Sequence, residues 1–126
     1  MEKIDLKKLT ISQAKEFLRQ GCISARELVE MYFEEISKKN ESLNAYLEIF
    51  DDAFDEAKKV DLRIKHGEEL RPLEGIPLAI KDNILIKGKK VQAASKILEG
   101  YIASYDSAVI NKLKEAGALF LGRTNM

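Results

Sequence analysis

One cysteine, one histidine, two prolines and no tryptophan occur among the 126 residues. A single cysteine, Cys22, excludes an intramolecular disulfide framework. With His66 as the only imidazole, the nitrogen and sulfur ligands of an all-protein zinc site are too few. No metal site is expected, and because Gly75, Gly88, Gly100, Gly117 and Gly122 never approach a GxGxxG or Walker spacing, no nucleotide cofactor of the chain's own is expected either. An excess of one charge is also missing: 21 Lys and Arg balance 21 Asp and Glu. That removes the global polycation built for nucleic acid or an acidic membrane. No apolar run approaches the ~18 residues that would span a bilayer. The opening MEKIDLKKLTISQ has no apolar core of signal-peptide length. The expectation is a soluble, cytoplasmic protein with no membrane partner.

What is present is globular: 45% hydrophobic and 33% charged residues suit one modest core, too small to divide into two domains. The balanced charge hides an asymmetry. Residues 1–78 carry 13 basic and 17 acidic side chains, a net of −4, and residues 79–126 carry 8 and 4, a net of +4. Two solvated faces of opposite sign account for this, and so does a site for an anion around Lys87, Lys89 and Lys90; no aromatics are interleaved with those lysines to favour the second.

Thr10-Ile11-Ser12-Gln13 has the form of a capping box and predicts a helix with Ile11, Ala14, Phe17 and Leu18 inward, stopped at Gly21. Ser24-Ala25-Arg26-Glu27 repeats the signature. It opens a stripe of Ala25, Leu28, Val29, Tyr32, Phe33 and Ile36 that closes at Asn40. Residues 43–50 suit a short strand or the lead into another helix. Asp51 or Asp52 then starts a helix with Phe54, Ala57, Val60 and Ile64 inward and Gly67 past its end. Pro72, Gly75 and Pro77 mark a loop.

After that loop the period changes. Leu78-Ala79-Ile80 predicts a short buried strand ending in Lys81-Asp82-Asn83. Asp106 is placed to cap a helix with Val109, Ile110, Leu113 and Ala116 inward; Gly117 ends it, and Ala118 to Leu121 form a second strand. Strand, helix, strand is the pattern of a parallel pair. The predicted class is α/β: residues 1–70 mainly helical, residues 71–126 the start of a mixed, mainly parallel sheet, together one truncated domain. On this reading Ala118 to Leu121 is left without a further neighbour.

The stretch that carries chemistry is LEGIPLAIKDN, Leu73 to Asn83. Lys81 at the carboxyl end of a strand stands where open α/β sheets place their sites. To act as a base it must lose its proton near neutral pH, at a cost of roughly 4 kcal/mol. Burial by Leu78, Ala79 and Ile80 is one way to meet that cost. A lysine snorkelling out of a strand end is the bland alternative, and the residues alone leave both open.

GIPLAIKDN, then Lys87-Gly88, Ala94-Ser95 and Ile97-Leu98-Glu99, then DSAVINKLKEAGALFLGRTNM, resemble the amidase-signature family. SARELV, from Ser24 to Val29, and Leu43-Asn44-Ala45 are similar to the N-terminal helices of its glutamyl-tRNA(Gln)/aspartyl-tRNA(Asn) amidotransferase A-subunit branch. The resemblance implies the amidase-signature sheet and a Ser-cisSer-Lys hydrolysis of amide bonds, with Lys81 as the base and Asp82 and Asn83 in the supporting loop. It implies glutamine as substrate, B and C subunits as partners, and tRNA contacted mainly through B. ATP and magnesium would serve the B subunit. Both serines of the family lie in a Gly/Ser-rich segment downstream of the Thr124-Asn125-Met126 motif, and none of the seven serines here has a Gly-Ser-Ser-Gly context. Val91-Gln92 also departs from the Thr pair common before Ala-Ser in that branch.

The remaining candidates read more simply. Cys22 is expected as a small buried residue at a helix–helix turn, and His66 as a cation at a helix C-terminus. Asp51, Asp52, Asp55 and Glu56 form a charged helix start. A stand-alone amidase for small amides and a non-catalytic interaction module are the alternatives to an amidotransferase subunit.

Overall fold

The computed structural model describes residues 3–126. Helix α1 spans Ile11–Gln20, α2 Ala25–Leu43 and α3 Ala53–Lys65; strand β1, Tyr46–Ile49, lies between α2 and α3. Strand β2, Pro77–Lys81, is followed by a loop with a 3₁₀ turn at Lys96–Leu98, then α4, Ala108–Glu115, and β3, Leu119–Thr124. Both capping boxes form: Thr10 and Gln13 exchange hydrogen bonds at α1, and Ser24 and Glu27 at α2. Each satisfies two backbone N–H groups that the first helical turn leaves without partners. Gly21 ends α1 at φ 72°, a left-handed conformation that glycine adopts without steric cost.

Three details depart from the sequence reading. Helix α2 runs past Asn40 to Leu43 and is capped by Asn44, because the Asn40 side chain is spent elsewhere. Its Oδ1 accepts from the Tyr46 amide at 2.8 Å and its Nδ2 donates to the Tyr46 carbonyl at 3.0 Å, so Asn40 holds the first residue of β1. Helix α4 is capped by Ser107, not Asp106; Asp106 instead accepts from the Lys87 amide and pairs with Lys114. That start leaves Val109 exposed and Ile110 buried. Ile11, at the open first position of α1, is exposed too.

The sheet has the order β1-β3-β2. Strands β2 and β3 are parallel, joined through α4 as expected, whereas β1 is antiparallel to β3. The last strand is therefore the central one. Ala118 to Leu121 were expected to lack a neighbour, and β1 supplies it; the ambiguous 43–50 segment is a strand for that reason. Both pairings slip by one residue near Gly122, which faces Ile49 on one side and Ala79 on the other. A β-carbon on Gly122 would lie 2.2 Å from the Glu48 carbonyl oxygen, so only glycine admits β1 this close.

Two apolar clusters flank the sheet. Leu18, Leu28, Val29, Ala57 and Val60 from the first three helices pack with Ile76, Leu119 and Leu121. Phe50, Ile80, Ile86 and Ile110 form the second cluster, with Phe120 and Leu113 against it. Helices thus cover one face of the sheet and α4 the other, as a sheet containing parallel strands requires. None of the described helices is long and apolar enough to cross a membrane.

Candidate active site

Lys81 closes β2, beside Thr124 of β3. The strand carries Ile80 inward and leaves Lys81 exposed, so Leu78, Ala79 and Ile80 do not bury it. Its carbonyl accepts from the Ile84 amide at 3.0 Å, closing a turn over Asp82 and Asn83. Asn83 is exposed. Asp82 is the reverse, only 1% exposed, and it forms the hub of this end of the sheet.

Four hydrogen bonds fasten Asp82. Its amide donates to the Thr124 carbonyl at 3.0 Å, and its carbonyl accepts from the Ala93 amide at 2.9 Å. Its Oδ1 accepts from Arg123 Nη1 at 2.7 Å and from the Gln92 amide at 3.2 Å. The Gln92 contact is made by the backbone, so the side chain at that position is free to differ from the Thr of the resembling branch. Arg123 Nε donates onward to Glu48 Oε2 at 2.8 Å, which ties the ends of all three strands in one charged chain. Burial opposes the Arg123 charge, but the hydrogen bonds and charges of Glu48 and Asp82 raise its affinity for the proton above the ordinary arginine value.

Arg123, Glu48 and the Gln92 amide were not singled out in the sequence. One signal was available: Arg123 is the only charge within the apolar strand LFLGRT, and a charge in such a run has to find a partner.

The other candidates lie apart from this cluster. Cys22 is exposed rather than buried, because the α1–α2 turn sends Ile23 inward in its place. Its Sγ lies 3.7 Å from Gln20 Oε1. His66 stands at the C-terminal end of α3, the place expected for it, as the residue after Lys65. Asp52 stands at the N-cap of α3, but its side chain makes no capping hydrogen bond and pairs instead with Lys89 at 3.0 Å, which also stands 4.5 Å above the Phe50 ring. Asp51, Asp55 and Glu56 are exposed.

Comparison with known proteins bears directly on this arrangement. The family model described as Amidase matches residues 27–126, which takes in α2 from its third residue, the whole sheet and the Lys81–Asn83 turn. The chain is 43% identical over 123 residues to the A subunit of the glutamyl-tRNA(Gln) amidotransferase of Endomicrobium trichonymphae, covering 97% of this chain and 25% of that protein. The A subunit of the Fusobacterium nucleatum enzyme matches with the same identity and coverage. Among solved structures, the peptide amidase of Stenotrophomonas maltophilia superposes with a TM-score of 0.87 at 30% identity, covering 94% of this chain and 25% of that one. The chain thus spans about a quarter of the length of the proteins it matches. A family match across both packed faces, relatives alike over nearly every residue and a superposable backbone agree with one another, and the chain belongs to the amidase family.

Proposed function

We propose that the chain is the N-terminal part of the glutamine-hydrolysing A subunit of a tRNA-dependent amidotransferase, in which Lys81 is the base. The observation that carries this is the identity of 40–45% with such A subunits over 96–98% of the chain, against 26–32% for the amidases of solved structure. The placement of Lys81 supports it, at the carboxyl end of β2 where open α/β sheets put their sites; the side chain is exposed, so burial by its own strand is not what readies it as a base.

In the proposed reaction the Lys81 amine takes a proton, through a bridging serine, from the hydroxyl of a second serine. That oxygen attacks the side-chain carbonyl of glutamine, and the C–N bond breaks as the proton held by Lys81 passes back through the bridging serine to the departing nitrogen. Ammonia leaves, and an ester to the enzyme remains for water to hydrolyse to glutamate. Backbone N–H groups near the serines stabilise the oxyanion. None of the seven serines of residues 1–126 stands in a Gly-Ser-Ser-Gly context, so neither serine role is assigned to this stretch, and residues 1–126 alone are proposed to hydrolyse no amide. The ammonia would serve transamidation of Glu-tRNA(Gln) or Asp-tRNA(Asn), with the B subunit using ATP and magnesium and contacting the tRNA, and the C subunit packing against both. A second reading, a stand-alone amidase, is favoured by the superposition on the peptide amidase.

The test is glutaminase turnover of the full-length protein with its B and C subunits. Lys81→Ala is expected to lower it by about 10²–10⁴-fold, and Lys81→Arg to do no better, because guanidinium does not give up its proton near neutral pH. Normal turnover in Lys81→Ala overturns the base assignment. Rapid hydrolysis of simple amides by the lone full-length chain, with no glutaminase activity in the complex, favours the second reading.

A further inference from the structure

We propose that Asp82 and Arg123 are a positioning pair for Lys81, an inference that rests on Lys81 being the base. The Lys81 side chain has no partner of its own among the described residues, so the direction in which it leaves the sheet is set by the backbone turn from Lys81 to Ile84. Asp82 holds that turn on two sides. Through its amide and Arg123 it is fastened to β3, and through its carbonyl and Oδ1 to the 92–93 segment.

Three features separate this arrangement from an ordinary structural ion pair. A buried ion pair is weak evidence of a stabilising role, since exchanging such a pair for well-packed apolar groups is often neutral or stabilising. The second carboxylate oxygen, Asp82 Oδ2, is buried and has no hydrogen-bond partner among the described residues, a cost that a carboxylate serving packing alone would avoid. Ala93, whose amide bonds the Asp82 carbonyl, and Ala94 after it stand at φ 49° and φ 56°, left-handed conformations that disfavour a β-carbon. Backbone strain and an orphaned polar atom coincide beside the residue that follows the lysine, and such costs gather where a group must be aimed.

The test uses full-length protein with its partner subunits and compares Asp82→Asn, Arg123→Gln and Lys81→Ala. A displaced base slows chemistry without weakening binding, so Asp82→Asn is expected to lower kcat by about 10²-fold with KM for glutamine unchanged. The charges gathered at the strand ends are Lys81, Asp82, Arg123 and Glu48. Removing the negative Asp82 disfavours the ammonium and moves the acid limb of kcat to lower pH; removing the positive Arg123 moves it higher. Should Asp82→Asn not fold, Glu48→Gln, at the half-buried far end of the same chain of contacts, carries the test with a smaller kcat loss and the limb again moved lower. Loss of folding stability with no displacement of the limb in any variant would show a merely structural role and overturn the inference. So would wild-type kcat in both pair variants beside an inactive Lys81→Ala, which leaves the base assignment standing. An active Lys81→Ala removes the base assignment itself.

Discussion

Asp61, on α3, accepts a hydrogen bond from the backbone amide of Ala25, the first residue of α2, at 2.7 Å. Its second oxygen takes the Arg26 amide at 3.2 Å. Helix α2 is therefore capped twice, by its own Ser24 and by a carboxylate from another helix, and the negative charge sits at the positive end of the α2 dipole. The contact also fixes how α2 and α3 cross. Asp61→Ala is expected to cost about 1–2 kcal/mol, and Asp61→Asn less, since an amide keeps one acceptor. Urea unfolding of the 126-residue chain, followed by circular dichroism, checks this; a midpoint equal to wild type would remove Asp61 from the account of the α2–α3 packing.

Gly122→Ala is expected to destabilise by about 1–3 kcal/mol, because the new methyl meets the Glu48 backbone and not a yielding side chain. Gly21→Ala is the control. Nothing lies within 4 Å of its added β-carbon, so only the strained φ counts, at about 1 kcal/mol. If the two substitutions cost the same, the close approach of β1 and β3 is not what Gly122 serves.

Glu74 is only 1% exposed and is clamped by Arg71 and, at 3.5 Å, by Arg63. Burial alone would raise its carboxyl; the Arg71 hydrogen bonds and the two guanidinium charges outweigh burial and hold it below its ordinary value of 4.5. A carboxyl lowered by folding stabilises fully above that ordinary value, and the contribution fades as pH falls below it through the folded value. Thermal midpoints are therefore expected to drop more steeply below pH 4.5 in the wild type than in Glu74→Gln. Parallel curves would show that the clamp adds no pH-dependent stability.

Cys22 is exposed in the α1–α2 turn. One thiol per chain should react with a disulfide reagent under native conditions, at the same rate with and without denaturant. Labelling that waits for unfolding would place Cys22 inside.

Helices α1 and α2 were legible because their signals are local: each cap lies three residues from its partner, and each stripe repeats within the helix. The GIPLAIKDN turn was legible as a motif. What could not be read were the properties set by distant neighbours. Tyr46 to Ile49 has no strand signal stronger than its helix signal, and its partner Thr124 lies at the other end of the chain. Lys81, Asp82 and Asn83 look alike in sequence, yet the middle one alone is buried, because Arg123 and the Gln92 amide converge on it. Exposure of Lys81 likewise follows from what the other strands do, not from the apolar residues before it.

The central place of β3 has a consequence for synthesis. Strands β1 and β2 share no hydrogen bonds and meet only through β3, the last of the three to be made. On the ribosome the helices, with their local caps, can form as they emerge, while both outer strands wait unpaired until Leu119–Thr124 leaves the exit tunnel. The nascent chain therefore has an interval in which β1 and β2 are open to chaperones and to other polypeptides, and it ends in one step. Chains stalled before Leu119 should be cleaved rapidly by protease between α3 and α4, and chains carried clear of the ribosome through Met126 on an added unstructured linker should resist; equal cleavage of the two would exclude this order of events.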